Sequence, residues 1–223
     1  MIQPLFSMIV FTIVFGNLAK IDSNGVPYAI FSFTALVPWT YFSGALASSS
    51  GSLLGASGMM TKVYFPRLII PMAPVLSKLI DFAIALILLA GMMVYYGFTP
   101  SIDIIYFPSL IILMILTASG MGMWLTALSI QYRDINYGLG FLIQLLMYLA
   151  PVVYPASNVP EHFRLLYGCF SMVGVIEGFR SILLKTNPMP WDLIGVGSIV
   201  ACLLFISGAF YFRRMEKYFA DVA

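Results

Sequence analysis

The chain carries little charge: only 9% of its 223 residues are Asp, Glu, Lys or Arg, whereas 61% are hydrophobic. Globular domains average about 25% charged and about 45–50% apolar residues, so an ordinary water-soluble domain is excluded. The formal net charge of +2 is too small to indicate a nucleic acid as partner. With one histidine and two cysteines, a disulfide framework is excluded and a metal site with several ligands is disfavoured. We therefore expect no cofactor on this chain.

Long apolar runs with few or no charges indicate the segments that cross a membrane. A span needs ~20 mostly apolar residues, and turn residues and charges divide the chain into six such runs, at about 1–18, 28–50, 69–96, 104–130, 138–153 and 193–212. They predict an all-α integral membrane protein with a single transmembrane domain over residues 1–223. Six spans place both termini on the same side, and the lysine- and arginine-rich connections predict that this side is cytoplasmic.

The connection between spans five and six contains two short apolar segments, 160–170 and 171–186. As helices they would be ~16 and ~24 Å long, which is less than the ~30 Å of the hydrocarbon core. This favours a re-entrant helical hairpin over residues 160–186 on the outer side of the membrane. The alternative is one amphipathic helix that lies on the membrane surface.

Four residues of the second hairpin segment are of interest. Glu177 and Arg180 lie three positions apart, so they share a helix face and can form an ion pair. Phe179 points in another direction, toward lipid or toward a transport path. Ser171 is placed to cap the second helix.

No group of residues in the sequence indicates catalysis. A phosphate-binding Gly-x-x-x-x-Gly-Lys-Ser/Thr loop is missing, so ATP is not expected to bind this chain. Lys78 and Asp81 stand three positions apart inside the third span and can neutralise each other. They belong either to a transport path or an inter-subunit contact, or to a structural pair near the membrane boundary.

Small residues recur at every fourth position toward the end of the second span. This spacing lets membrane helices approach closely, and the residues form two ladders: Gly44, Ser48 and Ser52, and Ala47, Gly51 and Gly55. The partner helix could come from the same chain or from a second copy.

Four segments carry a resemblance to a known family. They are Ile2-Gln3-Pro4-Leu5, Lys62-Val63-Tyr64-Phe65-Pro66-Arg67 with Ile70-Pro71, Tyr132-Arg133-Asp134, and Val173-Gly174-Val175-Ile176-Glu177-Gly178-Phe179-Arg180. Together they resemble the permease subunits of ABC-2 type exporters, in the branch that exports polysaccharides such as O-antigen, capsule and teichoic acid. Family members usually carry a further interface helix before the first span, and we expect this chain to lack it. They also commonly have Asn-Pro before the gate helix, where this chain has Phe170-Ser171-Met172.

The resemblance implies partners that the composition does not specify. Two copies of the chain would work with a separate ABC ATPase subunit, which binds the ATP and Mg. The cargo would be a lipid-linked glycan that crosses the bacterial inner membrane, in contact with membrane lipids. The resemblance further implies that Lys62, Tyr64, Phe65 and Arg67 dock on the ATPase.

The resemblance also implies a cytoplasmic hinge at Arg133 and Asp134 and an outer gate that includes Glu177, Phe179 and Arg180. The alternatives are an ABC-2 exporter of another cargo, such as a drug or lipid, a multi-pass transferase, or a carrier driven by an ion gradient. A transferase would require an acid/base pair or a metal site, and a gradient-driven carrier would require more ionisable groups inside the spans. The sequence favours the exporter.

Overall fold

The computed structural model of the protein describes residues 2–53, 55, 66–132 and 134–216. Over these residues the chain is helical and contains no strand, which confirms the all-α prediction. The helices are α1 (Ile2–Phe11, continued by a π-helical segment Thr12–Leu18), α2 (Tyr28–Ser50), α3 (Ile69–Tyr96), α4 (Phe107–Gln131, preceded by a 3-10 turn at Ile102–Tyr106), α5 (Asp134–Leu149), α6 (Glu161–Gly168), α7 (Ser171–Leu184) and α8 (Trp191–Met215).

Glycine and proline set several of the helix ends. Pro27 directly precedes α2, and Gly97 ends α3 with a φ of 75°, in the left-handed region that glycine adopts without steric cost. Pro108 lies in the first turn of α4, where the missing N–H of proline costs no helical hydrogen bond. Helix α5 ends at Leu149, two residues before Pro151. These positions explain why the boundaries of the long runs could be predicted closely.

Four described helices are long and apolar enough to cross a membrane: α2, α3, α4 with its preceding turn, and α8. The protein is therefore a multi-pass membrane protein. The first and fifth predicted spans correspond to shorter helices, since α5 has 16 residues and would be ~24 Å long. The count of six spans stays a prediction.

Helix α2 forms the centre of the bundle and packs against α1, α3, α4 and α7. Helices α4 and α8 are in tight contact at Gly120 and Gly208. A Cβ atom at Gly208 would lie 2.7 Å from the carbonyl oxygen of Gly120, so only glycine fits there. We name the two ends of the bundle by the ends of α2, as the Tyr28 end and the Ser50 end.

The segment between α5 and α8 contains two helices, α6 and α7, with a bend of 107° between them. Helix α7 is buried along its whole length, so the alternative of one amphipathic surface helix is wrong. A pair bent in this way fits either a broken span or a re-entrant hairpin. The prediction that Ser171 caps α7 is also wrong: its hydroxyl donates to the carbonyl oxygen of Gly197 in α8, 2.8 Å away, because the two helices touch there.

Candidate functional site

Arg180 is the centre of a buried polar cluster near the Tyr28 end, which we call the Arg180 cluster. Its Nη1 lies 2.8 Å from Oε1 of Glu177, so the predicted pairing of these two residues is confirmed. Nη1 also donates to the carbonyl oxygen of Tyr154 at 3.3 Å, and Nη2 donates to that of Val152 at 3.0 Å. A buried charge is tolerated where it is paired and hydrogen-bonded, and Arg180 meets both conditions.

The ring of Phe31 covers the guanidinium of Arg180. The Cζ atom of Arg180 lies 3.6 Å from the ring centroid, a cation–π contact that gains strength where water is excluded. Arg180 therefore joins three parts of the chain: α7, which carries it, α2, which carries Phe31, and the segment that follows α5.

Further hydrogen bonds fix the chain between α5 and α6 onto this cluster. The backbone N–H of Ala156 donates to Oε1 of Glu177 at 3.1 Å. The hydroxyl of Tyr28 donates to the carbonyl oxygen of Val153 at 2.7 Å, and the hydroxyls of Tyr167 and Tyr154 lie 3.2 Å apart. The arrangement offers no reactive group and holds the segment 152–156 against α2 and α7.

Phe179 lies in the aromatic core of the protein. Its side chain is fully buried, and its ring centroid is 4.7 Å from that of Phe107 and 6.2 Å from that of Phe82. The expectation that this ring points toward lipid or a transport path is therefore wrong. The physical reason is that α7 is surrounded by α2, α4 and α8, so every face of the helix meets protein.

At the Ser50 end, Arg67 connects the start of α3 with the end of α8. Its Nη1 donates to the carbonyl oxygen of Glu216 at 2.9 Å, and its Nε lies 3.8 Å from the Glu216 carboxylate. Asp134 is exposed in the first turn of α5, where the helix dipole favours a negative charge. The other predicted residues of this end, Lys62, Tyr64, Phe65 and Arg133, lie outside the described residues.

Two adjacent serines make the hydrogen bonds between α2 and its neighbouring helices at the Ser50 end of the single chain. The hydroxyl of Ser49 donates to the carbonyl oxygen of Pro71 in α3 at 2.7 Å, and that of Ser50 donates to Oδ1 of Asn136 in α5 at 2.8 Å. Thr126 and Ser129 of α4 in turn donate to the carbonyl oxygens of Ser49 and Ser50. Serine and threonine hydroxyls within the apolar runs were the sequence signal that could have identified these residues as helix contacts.

Lys78 and Asp81 form the predicted ion pair on α3, with Nζ and Oδ2 2.9 Å apart. A cavity of about 310 Å³ lies beside the pair, between α1, α2 and α3. We call it the α1–α2–α3 cavity. Gly44, a member of one predicted small-residue ladder, borders this cavity, and a Cβ atom at Gly44 would lie 3.7 Å from the side-chain carbons of Lys78.

Among the described residues, no group of three or more His, Cys, Asp or Glu side chains is arranged to hold a metal ion.

Comparison with known proteins agrees with this architecture. The O-antigen export system permease protein RfbA of Myxococcus xanthus is 22% identical over 220 residues, which are 97% of this chain and 84% of that protein. A protein of the same name from Klebsiella pneumoniae is 22% identical over 221 residues, which are 99% of this chain and 84% of that protein. The family profile described as ABC-2 type transporter matches residues 1–184. The match covers well over half of the chain, which therefore belongs to the ABC-2 type transporter family.

Proposed function

We propose that this protein is the permease subunit of an ATP-driven ABC exporter that moves a lipid-linked polysaccharide, such as O-antigen, across the bacterial inner membrane. The observation that carries the proposal is the similarity over 97–99% of the chain to proteins named O-antigen export system permease. Four long apolar helices support it, since an exporter subunit has to cross the bilayer several times.

Membership of the family makes this chain a transporter subunit and not an enzyme. In this proposal a separate ABC ATPase binds ATP and Mg and docks on the segment that contains Lys62, Tyr64, Phe65 and Arg67. The contact of Arg67 with Glu216 supports a transmission route, because it couples the end of that segment to the last helix. Motion of the docked segment would then reach α3 and α8 together.

A second copy of the chain completes the transporter in this proposal. Helix α5 supports it, because Leu139 is its one buried residue among those described. One face of α5 carries exposed residues at helical spacing: Tyr137, Phe141, Gln144 and Tyr148. Aromatic rings with an amide between them suit a glycan path between two copies better than contact with lipid tails alone.

The proposed topology is a single domain with six spans, cytoplasmic termini and an outer re-entrant hairpin formed by α6 and α7. Two contacts support a hairpin that enters and leaves at the same end of the bundle. Val153, before α6, meets Tyr28, and Lys185, after α7, donates to Thr99 beyond the end of α3. Glu177, Phe179 and Arg180 would then anchor the outer gate, and Arg133 and Asp134 would form the hinge between α4 and α5.

The test is co-expression of this chain with an ABC ATPase from the same genome, in a strain that lacks its own copy of the permease. We expect the two proteins to co-purify and surface polysaccharide to return, as detected by gel electrophoresis of the extracted polysaccharide. Exchange of Arg133 and Asp134 should disturb export if they form the hinge. Normal membrane insertion without ATPase binding and without polysaccharide would contradict the proposed function.

The docking segment has its own variant and control. Replacement of Tyr64 and Phe65 by alanine should abolish the coupling of ATP hydrolysis to export while membrane insertion is retained. The matched control replaces Tyr95 and Tyr96, an adjacent aromatic pair at the opposite end of α3 that is exposed in the structure. If both double variants export normally, the docking role assigned to Tyr64 and Phe65 is wrong.

A further inference from the structure

The α1–α2–α3 cavity is bordered by an ion pair that lies within the long apolar helix α3. Thr40, Ser43 and Gly44 of α2 line one side, and Lys78 and Asp81 of α3 line the other. The side chain of Lys78 is 36% exposed and that of Asp81 is 61% exposed, so neither charge is enclosed by the protein.

Both charges belong to every stretch of α3 that is long enough to cross the hydrocarbon core. The helix has 28 residues, whereas the core of the membrane takes about 20 residues of helix. A window of about 20 residues that starts anywhere from Ile69 to Ser77 contains both Lys78 and Asp81.

Exposed charges within a membrane span are costly to place against lipid tails. Ionisable residues within membrane spans face the bundle interior or a water-filled cavity, and they mark transport pathways. The remaining exposed large residues of α3 near the pair are apolar, namely Leu76, Ile80, Ile84 and Ile87, and they suit contact with lipid. The α1–α2–α3 cavity is therefore the place where water or a polar ligand can contact the two charges.

The hydrogen-bonding capacity of the pair determines which ligand fits. An ammonium group has three donors and a carboxylate accepts several hydrogen bonds, whereas the described structure gives Lys78 Nζ one partner, Asp81. The pair is neutral overall, so it does not select an anion such as a phosphate. The unused donors of Lys78 and acceptors of Asp81 lie next to the hydroxyls of Thr40 and Ser43. They match a neutral compound rich in hydroxyl groups, because a hydroxyl group both donates and accepts a hydrogen bond.

We propose that the α1–α2–α3 cavity is a saccharide-binding site, in which Lys78 and Asp81 bind sugar hydroxyls of the glycan during its passage. This inference rests on the proposed function, because it takes the cargo to be a glycan. The shape of the cavity favours a small polar ligand over a second copy of the chain, since it is recessed between three helices and the Lys78 stem lies against Gly44.

The experiment probes the cavity with a cysteine at Ser43, in a background that carries Cys169→Ala and Cys202→Ala. Membrane vesicles that contain the full chain and its ATPase are treated with a membrane-impermeant methanethiosulfonate reagent. The probe ligand is the oligosaccharide released by mild acid from the strain's own surface polysaccharide, and inorganic pyrophosphate is tested in parallel. We expect Ser43→Cys to react, the oligosaccharide to slow the reaction, and pyrophosphate to have no effect.

The double variant Lys78→Met/Asp81→Leu removes both charges without leaving one unpaired. It should weaken the protection by about tenfold or more in apparent affinity, since hydrogen bonds to charged groups are lost. The matched control Ile80→Leu, on the same helix, should keep the protection. Export by the double variant should fall while its amount in the membrane stays normal.

Four results would overturn the saccharide site. An unreactive Ser43→Cys means that lipid or a second copy covers the cavity, and protection by pyrophosphate means that it binds an anion. A reactive Ser43→Cys that the oligosaccharide does not protect means that the sugar does not bind there. Protection that survives in the double variant means that Lys78 and Asp81 are not the binding groups. Failure of the proposed function is distinguishable, since the wild-type chain would then not restore surface polysaccharide.

Discussion

The guanidinium of Arg180 lies 3.6 Å from the ring centroid of Phe31, although one residue belongs to the last third of the sequence and the other to the first. The same guanidinium holds Glu177 and two backbone carbonyl groups. This single side chain therefore fixes α7 to α2 and to the chain that leaves α5. Any movement of the hairpin as a unit has to carry this cluster along or break it.

Replacement of Arg180 by glutamine should destabilise the protein strongly. The change leaves the buried Glu177 carboxylate without its counter-charge, and breaking one partner of a buried ion pair typically costs about 3–5 kcal/mol. We expect a large fall in the thermal unfolding temperature of the purified protein in detergent, together with a lower yield from the membrane.

The control for this experiment is Arg164→Gln, which breaks an ion pair with Asp192 whose side chains are 45% and 38% exposed. Exposed pairs contribute about 0–1 kcal/mol, so its unfolding temperature should change little. The double variant Glu177→Leu/Arg180→Leu should be milder than Arg180→Gln, because no unpaired charge stays buried. Equal effects of Arg180→Gln and Arg164→Gln would contradict the importance given to the Arg180 cluster.

Gly208→Ala should disturb the contact between α4 and α8. The added Cβ would lie 2.7 Å from the backbone oxygen of Gly120, which cannot move like a side chain, and overpacking of this kind costs about 1–3 kcal/mol. The same substitution at Gly195, on the same helix, meets no atom within 4 Å and should be neutral or slightly stabilising, since alanine favours a helix. Thermal unfolding in detergent should separate the two variants, and identical curves would contradict the close packing.

Phe179→Ala should leave a cavity between Phe82 and Phe107. Truncation of a buried phenylalanine typically costs about 3–5 kcal/mol, so unfolding should occur at a clearly lower temperature. Phe163 on α6 is 52% exposed, and Phe163→Ala serves as the matched control, with little change expected. A mild effect at Phe179 would mean that its ring lies at a surface, as the sequence had suggested.

The long helices could be predicted because their signals are local. The second and third predicted spans, 28–50 and 69–96, agree with α2 and α3 to the residue, since these apolar runs end at prolines, glycines and charges. The pairs Glu177–Arg180 and Lys78–Asp81 could also be predicted, because a spacing of three positions on a helix places them together.

The surroundings of those pairs could not be predicted, because they depend on distant parts of the chain. The same spacing gives one pair that is buried and one that is exposed. Phe31 and the carbonyl groups after α5 reach Arg180 only through the fold. The burial of α7 has the same cause, because its position between α2, α4 and α8 makes it part of the core.

The last prediction concerns the membrane topology, which single cysteines can test in the background without Cys169 and Cys202. Asp22, Tyr132 and Asn187 are exposed residues in three different connections. Asp22 lies beyond the Tyr28 end of α2, and Tyr132 follows α4 at the Ser50 end. Asn187 follows Lys185, whose contact with Thr99 places it at the Tyr28 end.

A membrane-impermeant thiol reagent should therefore label Asp22→Cys and Asn187→Cys from outside the cell and Tyr132→Cys only from the cytoplasmic side. Ser171→Cys should resist labelling from both sides, because the side chain is 1% exposed. The comparison of Asn187 with Asp22 decides between the two readings of the bent helix pair. In a re-entrant hairpin the chain enters and leaves the membrane on one side, so Asp22→Cys and Asn187→Cys are labelled from the same side. A broken span would place Asn187 in the cytoplasm and reverse the direction of α8. Labelling of Asn187→Cys from the cytoplasmic side would thus refute both the re-entrant hairpin and the cytoplasmic C-terminus.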